Sequence, residues 1–166
     1  MIRKIEDFLN EWQMEKESTE KVLKAITPEA ARTEQYPGGR TIGYIGWHIV
    51  LTLPEMAGKT GLKVEGPEEH APEPENFEDV VKQYHISAQS VYDAVKNTWK
   101  DEDLDTEVDM YGQKWKNGQT LSALIKHEVH HRGQISALLR QTGVAVPGVY
   151  GPAREEWGAY GLPPMK

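Results

Sequence analysis

The sequence predicts an all-α domain built as a four-helix bundle, and three observations carry that reading. Four segments repeat their apolar residues at three- and four-residue steps, the period of a helix with one buried face. Between the second and third, residues 58–75 are rich in Gly, Pro and Glu, long enough to cross from one end of a bundle to the other. The 166 residues fit one domain with its own core, and with 0 cysteines no disulfide framework is available to hold a loop-rich alternative together.

The first helix is read from Ile5, Phe8, Leu9, Trp12, Val22, Leu23 and Ile26, around a more polar middle. Thr27-Pro28-Glu29 ends it, because proline disfavours helix at the residue before it. Pro37-Gly38-Gly39 then leads into Thr41, the N-cap of a second helix with Ile45, His48, Ile49 and Thr52 on one side. Pro54 is expected to kink or end that helix shortly after His48. Asn76 caps a third helix with the cleanest apolar stripe in the chain, Phe77, Val80, Val81, Tyr84, Ala88, Val91, Tyr92 and Val95. From Lys100 to Gln119 an acidic stretch gives way to Val108, Met110 and Tyr111 around Gly112, which permits a short hairpin or an irregular excursion. Thr120 is read as the cap of a fourth helix running through Leu121, Leu124, Ile125, Ile135, Leu138 and Leu139 to a C-terminal Gly143. Residues from about 144 to 166 form a loop-rich tail of the same single domain, 1–166.

The charge balance excludes whole classes of partner. A formal net charge of -7 and a pI near 5.4 repel polyanions, so no nucleic acid is expected to bind. The first residues, Met1 to Asp7, carry acids at once, and no later stretch approaches the roughly 20 apolar residues of a membrane span. A cytoplasmic protein without membrane contact is expected, acting on small molecules.

One run carries sharp chemistry. In His127-Glu128-Val129-His130-His131, positions 127 and 131 lie four apart on one helical face and can address one ion, while His130 is turned away towards the surface. A third ligand must come from elsewhere, and His48, on the inner face of another helix, is the candidate; His70 and His85 read as solvated. The plainer alternative is that these are partly buried histidines satisfied by hydrogen bonds. The same run fits a zinc-protease signature with Glu128 as general base, and Glu155 or Glu156 could then supply a carboxylate ligand. The extended version of that signature fails, since Gly133 follows His131 by two residues and no later histidine exists. Glu128 is a candidate proton shuttle or a solvated helix residue, and Arg132 a candidate for binding a substrate carboxylate or pairing on the surface. Gly133 inside a helix suggests close approach of another helix or a ligand.

Gly46-Trp47-His48 on an early helix, followed by His127 and then His131-Arg132-Gly133-Gln134-Ile135 on a late one, resembles the DinB-like superfamily of damage-inducible and YfiT-type proteins, from Ile2 to about Gly143. The resemblance implies an up-down-down-up four-helix bundle, often a homodimer, holding a divalent metal ion, nickel or zinc, on His48, His127 and His131. It also implies chemistry similar to that of metal-dependent hydrolases, or of transferases that use a low-molecular-weight thiol such as bacillithiol or mycothiol. Three neutral imidazoles leave the ion an open position, which suits catalysis on water or a thiol. A non-catalytic metal-binding stress-response dimer and an HExxH-type metallopeptidase are the competing functions.

Overall fold

The computed structural model describes residues 2–164; Met1 and the last two residues of the expected tail, Met165 and Lys166, lie outside the described residues. Helix α1 spans Ile5–Lys24, a four-residue helix α2 spans Pro28–Ala31, α3 spans Ile42–Lys59, α4 Phe77–Thr98 and α5 Asn117–Gln141. A 3-10 turn at Asp101–Asp105 and a hairpin of β1 (Glu107–Met110) and β2 (Gln113–Lys116) separate α4 from α5.

The caps read from sequence at the second and third long helices are in place. Thr41 Oγ1 accepts from Tyr44 N at 3.0 Å, and Asn76 Oδ1 accepts from Glu78 N at 3.1 Å. Helix α1 stops at Lys24, short of the expected Thr27, and Thr27 instead caps α2, its hydroxyl accepting from Ala30 N at 3.2 Å. After α5 the chain turns at Gly143 with φ +80°, the left-handed position that glycine takes without strain.

Each of α1 and α3 packs against both α4 and α5, so the bundle is a closed ring of four helices. Trp12 Nε1 donates to Ala88 O at 2.9 Å, and Glu20 meets His85, so α1 and α4 run in opposite directions. Phe77 packs at Gly46 and Ser87 lies beside Pro54 where Gly66 touches both, so α3 and α4 run the same way. His48 meets His127 on α5 while Glu55 meets Tyr111, just ahead of that helix, so α3 and α5 are opposed. The course of α1, α3, α4 and α5 is therefore up-down-down-up, with residues 60–76 as the crossover. A Cβ on Gly66 would come within 2.6 Å of Ser87 Oγ and 3.0 Å of Pro54 Cγ, so the crossover can lie this close to α3 and α4 only with glycine there.

Three local expectations are corrected. Pro54 does not end α3, which continues to Lys59. Burial of Leu53 just before the proline and of Met56 and Ala57 beyond it outweighs the one backbone bond it forfeits. Thr120 is not the cap of α5: the helix begins at Asn117, directly from the end of β2, and Thr120 is buried inside it. Its start is tied down instead by Asn117, whose N donates to Thr106 O at 2.9 Å and whose Nδ2 donates to Asp103 O at 3.0 Å. Of the two readings for residues 100–119 the hairpin is correct, with Glu107 opposite Lys116 and Met110 opposite Gln113. Its two-residue turn places Tyr111 at φ +56° and Gly112 at φ +80°, the twist that suits a tight hairpin. Among the described residues no helix is long and apolar enough to cross a membrane.

Gly133 gives a fourth correction. Among the described residues nothing lies within 4 Å of where its Cβ would stand, so no other helix of this chain approaches it. Gly133→Ala should therefore stabilise the protein by up to about 1 kcal/mol through helix propensity. Equilibrium urea unfolding reads this directly, and a loss of stability would reveal a neighbour at this face.

Candidate metal centre

Helix α5 carries two polar faces, each meeting a different neighbour. His127 and His131, one turn apart, face α3 and meet His48. Tyr44, His48 and Thr52 follow one another at four-residue spacing along α3, and Thr52 Oγ1 donates back to His48 O at 2.8 Å. Nε2 of His127 lies 3.1 Å from Nε2 of both His48 and His131, and one donor nitrogen from each of the three falls within 4.8 Å of the others. All three rings are half-buried.

These residues fit a divalent ion. Nitrogens about 2.0–2.1 Å from one ion in tetrahedral arrangement sit about 3.3–3.4 Å apart, close to the spacing seen here. Hydrogen bonding alone suits the cluster poorly, because each Nε2 contact can hold at most one proton and His127 Nε2 faces two such nitrogens. The His131 ring is held by Gln134, 2.7 Å from Nδ1, which places the proton on Nδ1 and leaves the Nε2 lone pair free. His127 Nδ1 is buried without a hydrogen-bond partner among the described residues.

Electrostatics keep the donors unprotonated. Burial, followed by the charge of neighbouring imidazoles, depresses His48 to about 4 and His127 to about 3. His131 is lowered as well, by burial first, with the Gln134 hydrogen bond opposing. At neutral pH the imidazoles are ligands in waiting rather than cations.

Of the three, His48 also lines a cavity of about 300 Å³. Its walls come from α3 (Tyr44, His48, Glu55), the crossover (Glu69, His70) and the hairpin tip (Tyr111). Tyr111 donates to Glu55 Oε2 at 2.7 Å, and Lys59 pairs with the other carboxylate oxygen at 3.2 Å. His130 is exposed, its ring 4.9 Å from that of His131, and its nitrogens are outside the converging set. His85 is exposed beside Glu20, and His70 is exposed at the cavity rim.

Glu128 and Arg132 form the second polar face, turned towards α1 and α4. Glu128 is fully buried; Thr19 and Tyr84 hydroxyls lie 3.2 and 3.1 Å from its Oε2. It is neither solvated nor directed at the imidazoles, so the general base required by a protease reading is not at the cluster. Arg132 does form an ion pair, but inside the bundle: Nη2 lies 2.6 Å from Glu15 Oε2, and Nη1 donates to Thr19 Oγ1 at 3.0 Å. From the tail, Tyr150 brings its hydroxyl to this pair, 2.5 Å from Arg132 Nη2 and 2.9 Å from the Glu15 carboxylate. Glu155 pairs with Arg140, and Glu156 accepts from Gly148 N and Ala153 N, so neither joins the histidines. Sequence reading quoted Gln134 without giving it a role; its position three residues after His131 is the available signal.

Burial pushes the Glu128 carboxyl up to about 8, against the lowering pull of Tyr84, Thr19 and Arg132. Its folded value stands above the unfolded one, so its contribution to stability is present in acid and lost as pH rises through about 8. The depressed histidines act in the opposite sense and only as pH falls below about 6.5, where the unfolded chain takes up the protons. Thermal melts of chelator-treated protein between about pH 6.5 and 8.5 should therefore fall with pH, and Glu128→Gln should flatten that slope. Equal slopes would mean that the Glu128 carboxylate is charged throughout.

Comparison with known proteins places these features in context. The sequence pattern of the DinB family matches residues 1–162. A Bacillus subtilis (strain 168) relative, uncharacterized protein YrdA, is 36% identical over 162 residues, covering 98% of this chain and 97% of its own. The crystal structure of a DinB-like protein from Bacillus cereus ATCC 10987 superposes with a TM-score of 0.86 at 40% identity, over 90% of this chain and 100% of that one. The DinB-like protein YjoA from Bacillus subtilis superposes at 0.67 with 18% identity, over 86% and 96% of the two chains, and shows the shared fold.

Proposed function

The chain belongs to the DinB family, and from that premise we propose that it is a metal-dependent enzyme acting on small molecules, a thiol S-transferase or hydrolase holding nickel or zinc on His48, His127 and His131. The observation that carries this reading is the convergence of three neutral imidazoles, one of which, His48, lines an open cavity, with no carboxylate or fourth histidine in the group among the described residues. A structural ion is ordinarily enclosed by four protein ligands, whereas three protein ligands facing an open cavity leave room for a substrate.

When bound, a divalent ion supplies Lewis acidity, making a water or thiol available as a nucleophile near neutral pH. The residues of this chain do the rest. His48 from α3 and the His127–His131 pair from α5 present their lone pairs from two opposed helices, so the donor set depends on the bundle being assembled. Gln134 fixes the ring orientation and tautomer of His131. Tyr111, held by Glu55 under Lys59, forms one wall of the cavity. With 0 cysteines in the chain, any thiol must arrive with a cosubstrate, such as a low-molecular-weight thiol.

Metal-loaded protein assayed with a thiol plus an electrophile, and separately with esters and amides, should turn over one of these classes and lose that activity with a chelator. Casein should stay intact. Failure with every small-molecule class in metal-replete protein would favour the non-catalytic, metal-binding reading. The homodimer and cytoplasmic location belong to the same proposal and rest on family membership and on the acidic composition. Sedimentation over a range of concentrations should give twice the 18.8 kDa chain mass, and a monomer persisting at high concentration would remove that part.

A further inference from the structure

The turn ahead of α3 does more than start the helix. Gly39 N donates to Tyr36 O at 2.7 Å, Pro37 occupies the first central position, and Gly38 takes the second at φ +77°, which only glycine adopts easily. The two legs of the turn are tied together. Gln35 N donates to Arg40 O at 3.0 Å, Glu34 and Thr41 form an antiparallel bridge, and Ile42 N donates to Thr33 O at 2.9 Å. The backbone of Arg40 is thus fixed immediately before α3.

Its side chain lies over a residue of the cavity wall. The Arg40 guanidinium carbon lies 5.4 Å from the centre of the Tyr44 ring, and Tyr44 stands four residues ahead of His48, lining the same cavity. Among the described residues the guanidinium has neither an acidic partner nor a hydrogen-bond acceptor, unlike Arg132 and Arg140, which are both paired. The other ionic groups at the mouth are differently placed. Glu55 is engaged by Tyr111 and Lys59, while Glu69 stands on the crossover wall. Beside Tyr44, just ahead of α3, there is therefore a planar cation that is unpaired among the described residues, and a fork of this shape matches a carboxylate.

We infer that Arg40, stacked on Tyr44, is a specificity-determining residue that binds a carboxylate of the substrate while the substrate's reacting end faces the three imidazoles. The substrate class is a small molecule carrying a carboxylate a few bonds from its thiol or other reacting group. This assignment rests on the open metal site proposed above, and the following experiment separates the two.

Cobalt-loaded protein is titrated with 3-mercaptopropionate and with 3-mercaptopropionamide, which share size and thiol but differ in charge, while the visible spectrum is followed. Arg40→Gln should weaken the acid by about five- to tenfold and leave the amide within about twofold, the lower range of a charge-assisted contact because Arg40 is exposed. Arg40→Lys should recover part of the loss, and added salt should narrow the gap between acid and amide in the natural protein. Because the exposed Arg40 guanidinium contributes only its contact with the Tyr44 ring, Arg40→Gln should cost little stability and melt only slightly below the natural protein. If both thiols bind and Arg40→Gln leaves the acid-to-amide ratio unchanged, the carboxylate is read by the ion alone and this inference is overturned while the open site stands. If neither thiol perturbs the cobalt spectrum, the open site and the inference fall together.

Discussion

Arg132→Ala should destabilise the fold by about 3–5 kcal/mol, the usual consequence of stranding one member of a buried ion pair. Arg132 and Glu15 are only 3% and 7% exposed, and the guanidinium also bonds Glu15 O, Thr19 Oγ1 and the Tyr150 hydroxyl. Removing it leaves a carboxylate in the bundle with one hydroxyl to meet it. Against a typical total of about 5–15 kcal/mol, that is enough to bring the protein near its unfolding threshold. Urea denaturation at fixed metal content gives the number. Joint replacement, Glu15→Leu with Arg132→Met, should recover most of the loss, because neither charge is then buried alone. Tyr150→Phe should cost only about 0.5–1.5 kcal/mol, the worth of one partly exposed hydrogen-bonding group. A change below about 1 kcal/mol for Arg132→Ala would mean that water reaches Glu15.

His127→Ala should give the second large effect, a loss of divalent-metal affinity of at least about 100-fold, beyond the 10–100-fold typical of a residue that only orients a ligand. His127 is the central member, in contact with both other rings, so its removal leaves two donors on separate helices. Gln134→Ala should fall within the range for an orienting residue, since His131 Nε2 remains. His130→Ala should change affinity by no more than a few-fold. Competition with a coloured chelator ranks the three. An effect of His130→Ala equal to that of His127→Ala would place the ion on the outer face of α5.

Most of the fold is visible in the sequence because its determinants are local or periodic. Thr41 and Asn76 cap where their side chains meet the next residues' amides, and the stripe from Phe77 to Val95 needs only the helical period to be recognised. The errors occur where a distant segment decides. Pro54 looks like a helix terminator until Leu53, Met56 and Ala57 are seen to be buried. Thr120 looks like a cap until the hairpin delivers the chain straight into Asn117.

The candidate site divides in the same way. His127 and His131 share a face by spacing alone, and a third histidine on an inner helical face was a sound inference. Glu128 and Arg132 could not be placed from their own neighbourhood, because what makes them interior is Glu15, Thr19 and Tyr84 on other helices. Polar residues on a helix ordinarily imply solvent, and here they imply a second, dry interface. The tail, read as loop, carries the Tyr150 hydroxyl to that interface, a contact spanning 135 residues to Glu15 that no local pattern announces.

The most direct test of the central claim is anomalous diffraction from crystals of the protein loaded with nickel or zinc. One ion should appear, ligated by nitrogens of His48, His127 and His131 and completed by exchangeable, non-protein ligands facing the cavity. An ion bound elsewhere, or a fourth protein side chain closing the coordination sphere, would contradict it.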